Sequence, residues 1–107
     1  MKPRLTITTR DLPLTEPIEA LVRERTEKLE RFYDRLHGCA VTLSGPGNRH
    51  RNGGPYGVQI DLSVPGPDLV VSRNDHEDLQ VALRDAFDAA ERQLQSKVEQ
   101  RRGARRA

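Results

Sequence analysis

Tyr56-Gly57-Val58-Gln59-Ile60-Asp61-Leu62-Ser63-Val64 alternates apolar and polar residues without a break. A period of two puts Tyr56, Val58, Ile60, Leu62 and Val64 on one side of a strand and Gly57, Gln59, Asp61 and Ser63 on the other. One side suits a core and the other suits water, so the strand belongs to a sheet covered on one face. Downstream, Pro65-Gly66-Pro67-Asp68 is a turn signal. Leu69-Val70-Val71-Ser72 then returns as a further strand, although its unbroken apolar start does not reveal which residues face inward. Asp75, with Asp78 three residues later, resembles an acidic capping pair for a final helix. In that helix Leu79, Leu83, Ala86, Phe87, Ala90 and Leu94 recur at helical spacing.

Upstream of the central strand, Gly45 to Pro55 is too polar and glycine-rich to pack and reads as a mobile loop. Before it, Cys39, Val41 and Leu43 alternate with Ala40, Thr42 and Ser44, which predicts another strand. A helix is predicted from about Glu16 to Leu36, with Thr15 as N-cap and Pro17 in the first turn, where a missing N–H costs little. Its apolar stripe is Ile18, Leu21, Val22, Leu29, Phe32 and Leu36, and Gly38 fits the position just after its end. Leu5-Thr6-Ile7-Thr8 reads as a short first strand. The order β-α-β-β-β-α predicts an α+β fold, a two-layer sandwich of a sheet and two one-sided helices.

At 107 residues the chain is expected to form one domain over 1–107, with a basic C-terminal tail from about 97 to 107. Charged residues make up 32% and mean hydropathy is −0.75, with no apolar run near the length a membrane span needs. The N-terminus shows no secretory apolar region, so a cytoplasmic protein is expected. A single cysteine cannot form an internal disulfide. Trp is absent and only four aromatics occur, which argues against a broad stacking platform for single-stranded bases.

The net charge of +2 hides a polarised molecule. Residues 92–107 carry Arg92, Lys97, Arg101, Arg102, Arg105 and Arg106 against Glu99, a net +5, while residues 1–91 carry −3. Basic charge gathered at one end is the usual footprint of a polyanion partner, most often nucleic acid. Advancing roughly 100° per residue along the first helix from Leu21, Arg25, Lys28, Arg31 and Arg35 fall between roughly 280° and 40°, on one flank of the apolar stripe. Glu19, Glu27, Glu30 and Asp34 fall on the back. The same residues also allow a solvated helix held by i,i+4 pairs such as Glu27–Arg31. Lys97 and Arg101 continue the apolar side of the last helix, so that helix is expected to outrun the sheet and project a basic end. A frayed arginine-rich tail that complements the helix dipole is the competing reading.

Reactive side chains do not converge in the sequence. His37 is placed at a helix end, His50 in the mobile loop, and His76 among Asp75, Glu77 and Asp78 at a helix start. Capping accounts for that last cluster without a metal. Cys39 is expected in a buried strand without a partner to activate it. Gly45-x-Gly47 lacks the residues of a phosphate-binding loop. The Arg49-His50-Arg51 tip is a candidate phosphate contact, although a solvated loop explains it as well. No catalytic residue, metal, cofactor or small-molecule substrate is expected.

Lys28-Leu29-Glu30-Arg31-Phe32-Tyr33-Asp34-Arg35-Leu36 resembles the end of the first helix in bacterial ribosome hibernation-promoting factors, the HPF/RaiA family. Arg92-Gln93-Leu94 before a basic run is similar to the matching part of their last helix, and Leu14-Thr15-Glu16 to the start of their first. The resemblance implies a four-stranded sheet with two helices on one face and a non-enzymatic function. It implies binding to ribosomal RNA of the small ribosomal subunit, over the path of mRNA and tRNA, so that translation stops under stress or in stationary phase. Arg25, Lys28 and Arg92 match basic family positions; Lys97, Arg101 and Arg102 match the basic end in kind. Where the family's last helix opens Asp-x-Tyr-x-x-Ile-Asp, this chain has Asp78-Leu79-Gln80-Val81-Ala82-Leu83-Arg84. The family's long form adds a C-terminal dimerisation domain; a chain ending at Ala107 is expected to act as a monomer and not to pair ribosomes. The expected RNA-binding set is therefore Arg25, Lys28, Arg31, Arg35, Arg92, Lys97, Arg101 and Arg102. Two other readings use the same residues: a general structured-RNA-binding module, or a protein-interaction domain that relies on the acidic back of the first helix.

Overall fold

The computed structural model describes residues 4–45 and 55–105, with side chains described through residue 99. Its elements are β1 (Arg4–Arg10), α1 (Glu16–Phe32), β2 (Gly38–Ser44), β3 (Tyr56–Ser63), β4 (Leu69–His76) and α2 (Leu79–Arg105). The described strands form a four-stranded sheet in the order β1-β2-β3-β4. β1 and β2 are parallel, while β3 pairs antiparallel with both β2 and β4. The α+β order expected from the sequence is the order observed. Residues 46–54, including the Arg49-His50-Arg51 tip, lie outside the described residues.

Register puts the apolar side chains in rows. Leu5, Cys39, Leu62 and Leu69 form one row, and Ile7, Val41, Ile60 and Val71 the next. Because successive Cβ atoms alternate, both rows share one face. Val41, Ile60 and Leu62 are almost wholly buried there. α2 covers that face over β3 and β4; α1 lies on the β1 side and touches α2. The other face carries Thr6, Thr8, Thr42, Gln59 and Ser72 and stays open to water. At the far end of β1, Asp11 adopts φ 60°, and the Gly45 N–H donates to the Arg10 carbonyl at 2.8 Å. A Cβ at Gly45 would overlap the Asp11 carbonyl, so only glycine permits this approach.

α1 starts where Thr15 and Pro17 predict. The Thr15 carbonyl accepts the Glu19 N–H at 2.9 Å, although the Thr15 side chain makes no capping bond. Its end differs from expectation. The helix stops at Phe32 rather than Leu36, and Tyr33 turns to extended backbone (φ −136°, ψ 99°) while its N–H still bonds the Leu29 carbonyl. The reason is length. Seventeen helical residues span about 25 Å, close to the reach of a seven-residue strand, and four more would overshoot the sheet by about 6 Å. Three corrections follow. Gly38 opens β2 instead of capping a helix, His37 lies in the connection, and Arg35 is not on the helical flank. The inward aromatic is also different: Tyr33 is 6% exposed and Phe32 is 42% exposed. Thr26, absent from the expected stripe, is buried and donates its hydroxyl to the Val22 carbonyl at 2.8 Å.

Cys39 lies beside Thr26 in the core, and burial pushes its thiol up to about 11. That suits a packing role and suppresses the reactive thiolate.

β4 runs four residues beyond the predicted Ser72, because an edge strand with one wet face accepts polar residues. Between the Val58–Arg73 and Tyr56–His76 pairs the register shifts, with β4 holding one extra residue. A bulge of this kind re-aims side chains. It turns both Arg73 and His76 toward α2, although a regular strand would put them on opposite faces. There His76 Nε2 lies 2.8 Å and Arg73 Nε 3.2 Å from Asp85 Oδ2. This clasp ties the edge strand to the second turn of α2. Asp78 alone caps that helix: its Oδ1 accepts the Gln80 N–H at 2.9 Å, and its carbonyl accepts the Ala82 N–H at 2.9 Å. Asp75 sits in β4 and is no part of the cap, a correction to the expected capping pair.

Two stability measurements test this fold. Ile60→Ala removes a wholly buried side chain and is expected to cost about 2–5 kcal/mol in urea unfolding, against about 1 kcal/mol for Asp78→Ala. The hydrogen bond from His76, with Arg73 beside it, holds the Asp85 carboxyl below its ordinary value of 3.8. A depressed folded-state value stabilises the fold above the unfolded value, and that contribution disappears as pH falls through the lower folded one. Carbon-detected NMR should therefore give Asp85 a midpoint below 3.8, and the stability gap between wild type and Asp85→Asn should close on acidification. An Asp85 midpoint at or above the ordinary value would refute the clasp.

Candidate nucleic-acid interface

Strand directions fix where the helices end. β1, β2 and β4 point the same way, and α1 must run back against them to connect β1 to its parallel neighbour. α2 also runs back along the sheet: Asp85, near its start, meets the end of β4, and Lys97, near its end, meets the β3–β4 turn. The two helices are therefore parallel and finish at the same end of the molecule.

The candidate cations fall on this frame as follows. Lys28 and Arg31 are exposed in the last turns of α1, and Arg35 is exposed in the connection to β2. Arg25 is half-buried, about two turns before the end of α1. Lys97 is half-buried; its ammonium lies 3.5 Å from where a Cβ on Gly66 would stand. Gly66 itself has φ +85° in the β3–β4 turn. Lys97 also walls a cleft of about 330 Å³ with Pro67, Leu69, Gln93 and Ser96. Val98 still packs against the core, so the sheet and its turn support α2 that far, further than the apolar stripe to Leu94 implied. The backbone of Arg101 and Arg102 continues the helix, while their side chains lie outside the described residues.

α2 spans about 40 Å, against roughly 26 Å for an eight-residue strand, so its basic end extends past the sheet. The molecule measures 56 × 25 × 19 Å. Lys28, Arg31, Arg35, Lys97, Arg101 and Arg102 thus belong to one end. Arg92 stands apart: it is exposed opposite the buried Leu83–Leu94 stripe and about 140° around α2 from Lys97.

Among the described side chains, the candidate cations are available. Among the described residues, α1 shows an i,i+4 pair between Glu19 and Arg23 at 2.8 Å, and Arg23 is not one of the candidates. Arg25, Lys28, Arg31, Arg35, Arg92 and Lys97 have no carboxylate partner among the described residues. The opposite end, where both helices begin, carries Glu16, Glu19, Asp75, Glu77 and Asp78. There Asp75, His76 and Asp85 bring ligand atoms within 4.8 Å of one another. The Arg73 guanidinium shares Asp85 with His76. The apparent cluster at a helix start is thus a strand-to-helix clasp. No helix of the described residues is long and apolar enough to cross a membrane.

Sequence reasoning missed the outward position of Phe32 beside Lys28 and Arg31. Its apolarity suggested the core, and only the early end of α1 reveals otherwise.

Comparison with known proteins agrees with this architecture. A solved ribosomal subunit interface protein from Coxiella burnetii superposes with a TM-score of 0.76, covering 90% of this chain and 98% of its own, at 11% identity. The N-terminal domain of Thermus thermophilus Protein Y gives a TM-score of 0.67, covering 87% and 94%, at 27% identity. A ribosome hibernation promotion factor from Deinococcus radiodurans is 33% identical over 88 residues, 79% of this chain. Those residues make up 44% of the relative, so the chain spans under half of that protein's length. Residues 5–102 match the family described as sigma 54 modulation protein / S30EA ribosomal protein, and the chain belongs to that family.

Proposed function

We propose that this protein is a ribosome-associated hibernation factor of the cytoplasm. In this reading it binds ribosomal RNA of the small subunit with the end where its two helices finish, and blocks the path of mRNA and tRNA there. The observation that carries the reading is the parallel course of α1 and α2, which delivers cations from both helices to one end of the molecule. The family and the hibernation factor among its relatives support it.

The chemistry is consistent. Lysine and arginine contacts to phosphates supply affinity without reading bases. Helices fixed on a sheet supply shape, which suits an RNA of defined tertiary structure. One copy per subunit suffices, with Lys28, Arg31 and Arg35 from the α1 side and Lys97, Arg101 and Arg102 from α2 as the contacts at that end, and Arg25 and Arg92 as contacts flanking it. The function needs no catalytic group or cofactor.

Co-sedimentation with purified small subunits at two salt concentrations tests the reading. With six or more phosphate contacts, affinity should fall about 10³-fold or more between about 50 and 200 mM salt. Binding should survive an excess of generic duplex RNA. Reversing Arg92, Lys97, Arg101 and Arg102 to Glu should abolish it; intact binding would refute the site. Loss of binding to the duplex competitor would instead identify a general RNA-binding module.

A further inference from the structure

We propose that Phe32 stacks on an unpaired base of the bound RNA. The proposal rests on the RNA-binding reading above and gives its interface a contact that is not ionic.

The first observation is an inverted local choice. Phe32 has no polar atom, yet it is 42% exposed, while the neighbouring Tyr33 is 6% exposed. The Tyr33 hydroxyl is buried without a hydrogen-bond partner among the described residues. Exchanging the two residues would hide the purely apolar ring and release the stranded hydroxyl, so the arrangement costs stability twice over. Places where a sequence works against its own fold are where functional demands are expected.

The second observation is placement. Phe32 follows Lys28 by four residues and Arg25 by seven, so the three lie along one line of α1 within roughly 60° of arc. Arg31 adjoins it, and Arg35 follows in the connection to β2. Of the four aromatics, Tyr33 and Phe87 are buried and Tyr56 is half-buried, which leaves Phe32 as the exposed ring.

The third observation concerns the occupant. Single exposed apolar residues are ordinary on protein surfaces. A protein-docking anchor, however, sits among other apolar groups. The other exposed large hydrophobics among the described residues are Leu14, Val70 and Val81. Leu14 and Val81 belong to the end where the helices begin, and Val70 faces the open side of the sheet. Phe32 has cations for neighbours instead. A ring bordered by cations matches a nucleotide, which offers a flat base and a phosphate together.

The test compares Phe32→Leu, Phe32→Tyr and Phe32→Trp with wild type for small-subunit affinity at fixed salt. Leu keeps the bulk and apolarity and removes the aromatic face. Phe32→Leu should bind about tenfold or more weakly, with unchanged melting temperature and unchanged salt dependence. Lys28→Gln should instead weaken binding and flatten the salt dependence. Tyr and Trp should bind as wild type. The chain contains no tryptophan, so Phe32→Trp introduces a unique fluorophore whose emission should be quenched on binding. If wild type binds and Phe32→Leu binds equally well, stacking is overturned and the ionic interface stands. A bright, blue-shifted Trp emission would mean an apolar protein groove and also overturns stacking. Failure of wild type to bind would remove the RNA-binding reading and this proposal together.

Discussion

The parallel pairing of β1 with β2 is the constraint on which the rest of the molecule depends. Two parallel neighbours require a crossover, and the crossover here is α1. It must return along the length of the sheet, so its direction is set by the pairing rather than by its own sequence. β3 and β4 then add antiparallel hairpin steps, which leave β4 pointing like β1. α2 follows β4 and returns the same way as α1. The position of the basic end follows from this sequence of directions.

The two layers were legible because they depend on local periodicity. The alternation from Tyr56 to Val64 and the stripe from Leu79 to Leu94 each specify one buried side, and the register rows through Ile60 and Leu62 agree with both. The end of α1 was not legible, because it depends on how long the sheet is. Asp34-Arg35-Leu36 continues the helical spacing, and nothing local says that Tyr33 must leave the helix for Leu36 to enter the core. The clasp was hidden for a different reason. Arg73 and His76 have opposite parity in a strand, and only the extra residue in β4 brings them to the same carboxylate.

The candidate interface divides in the same way. The excess of cations after Arg92 was visible by counting, and the flank of Arg25 and Lys28 by angular position. Whether those two groups share a surface was a question of tertiary direction. The structure brings Lys28, Arg31 and Arg35 to the end where Lys97 also lies, and sets Arg92 on the outward side of α2. Lys97 was expected beyond the body, yet it rests over the β3–β4 turn because Gly66 leaves room for its ammonium there.

Parallel helices also separate charge along the molecule. Glu16, Glu19, Asp75, Glu77 and Asp78 lie where both helices begin, while at the other end the cations of α1, set among Glu27, Glu30 and Asp34, are joined by the arginine-rich end of α2. Such a body experiences a torque as well as an attraction near a polyanion, so it rotates toward its productive orientation before any atom makes contact. Encounter then becomes less dependent on chance alignment, a benefit that operates on the rate of association rather than on the lifetime of the complex.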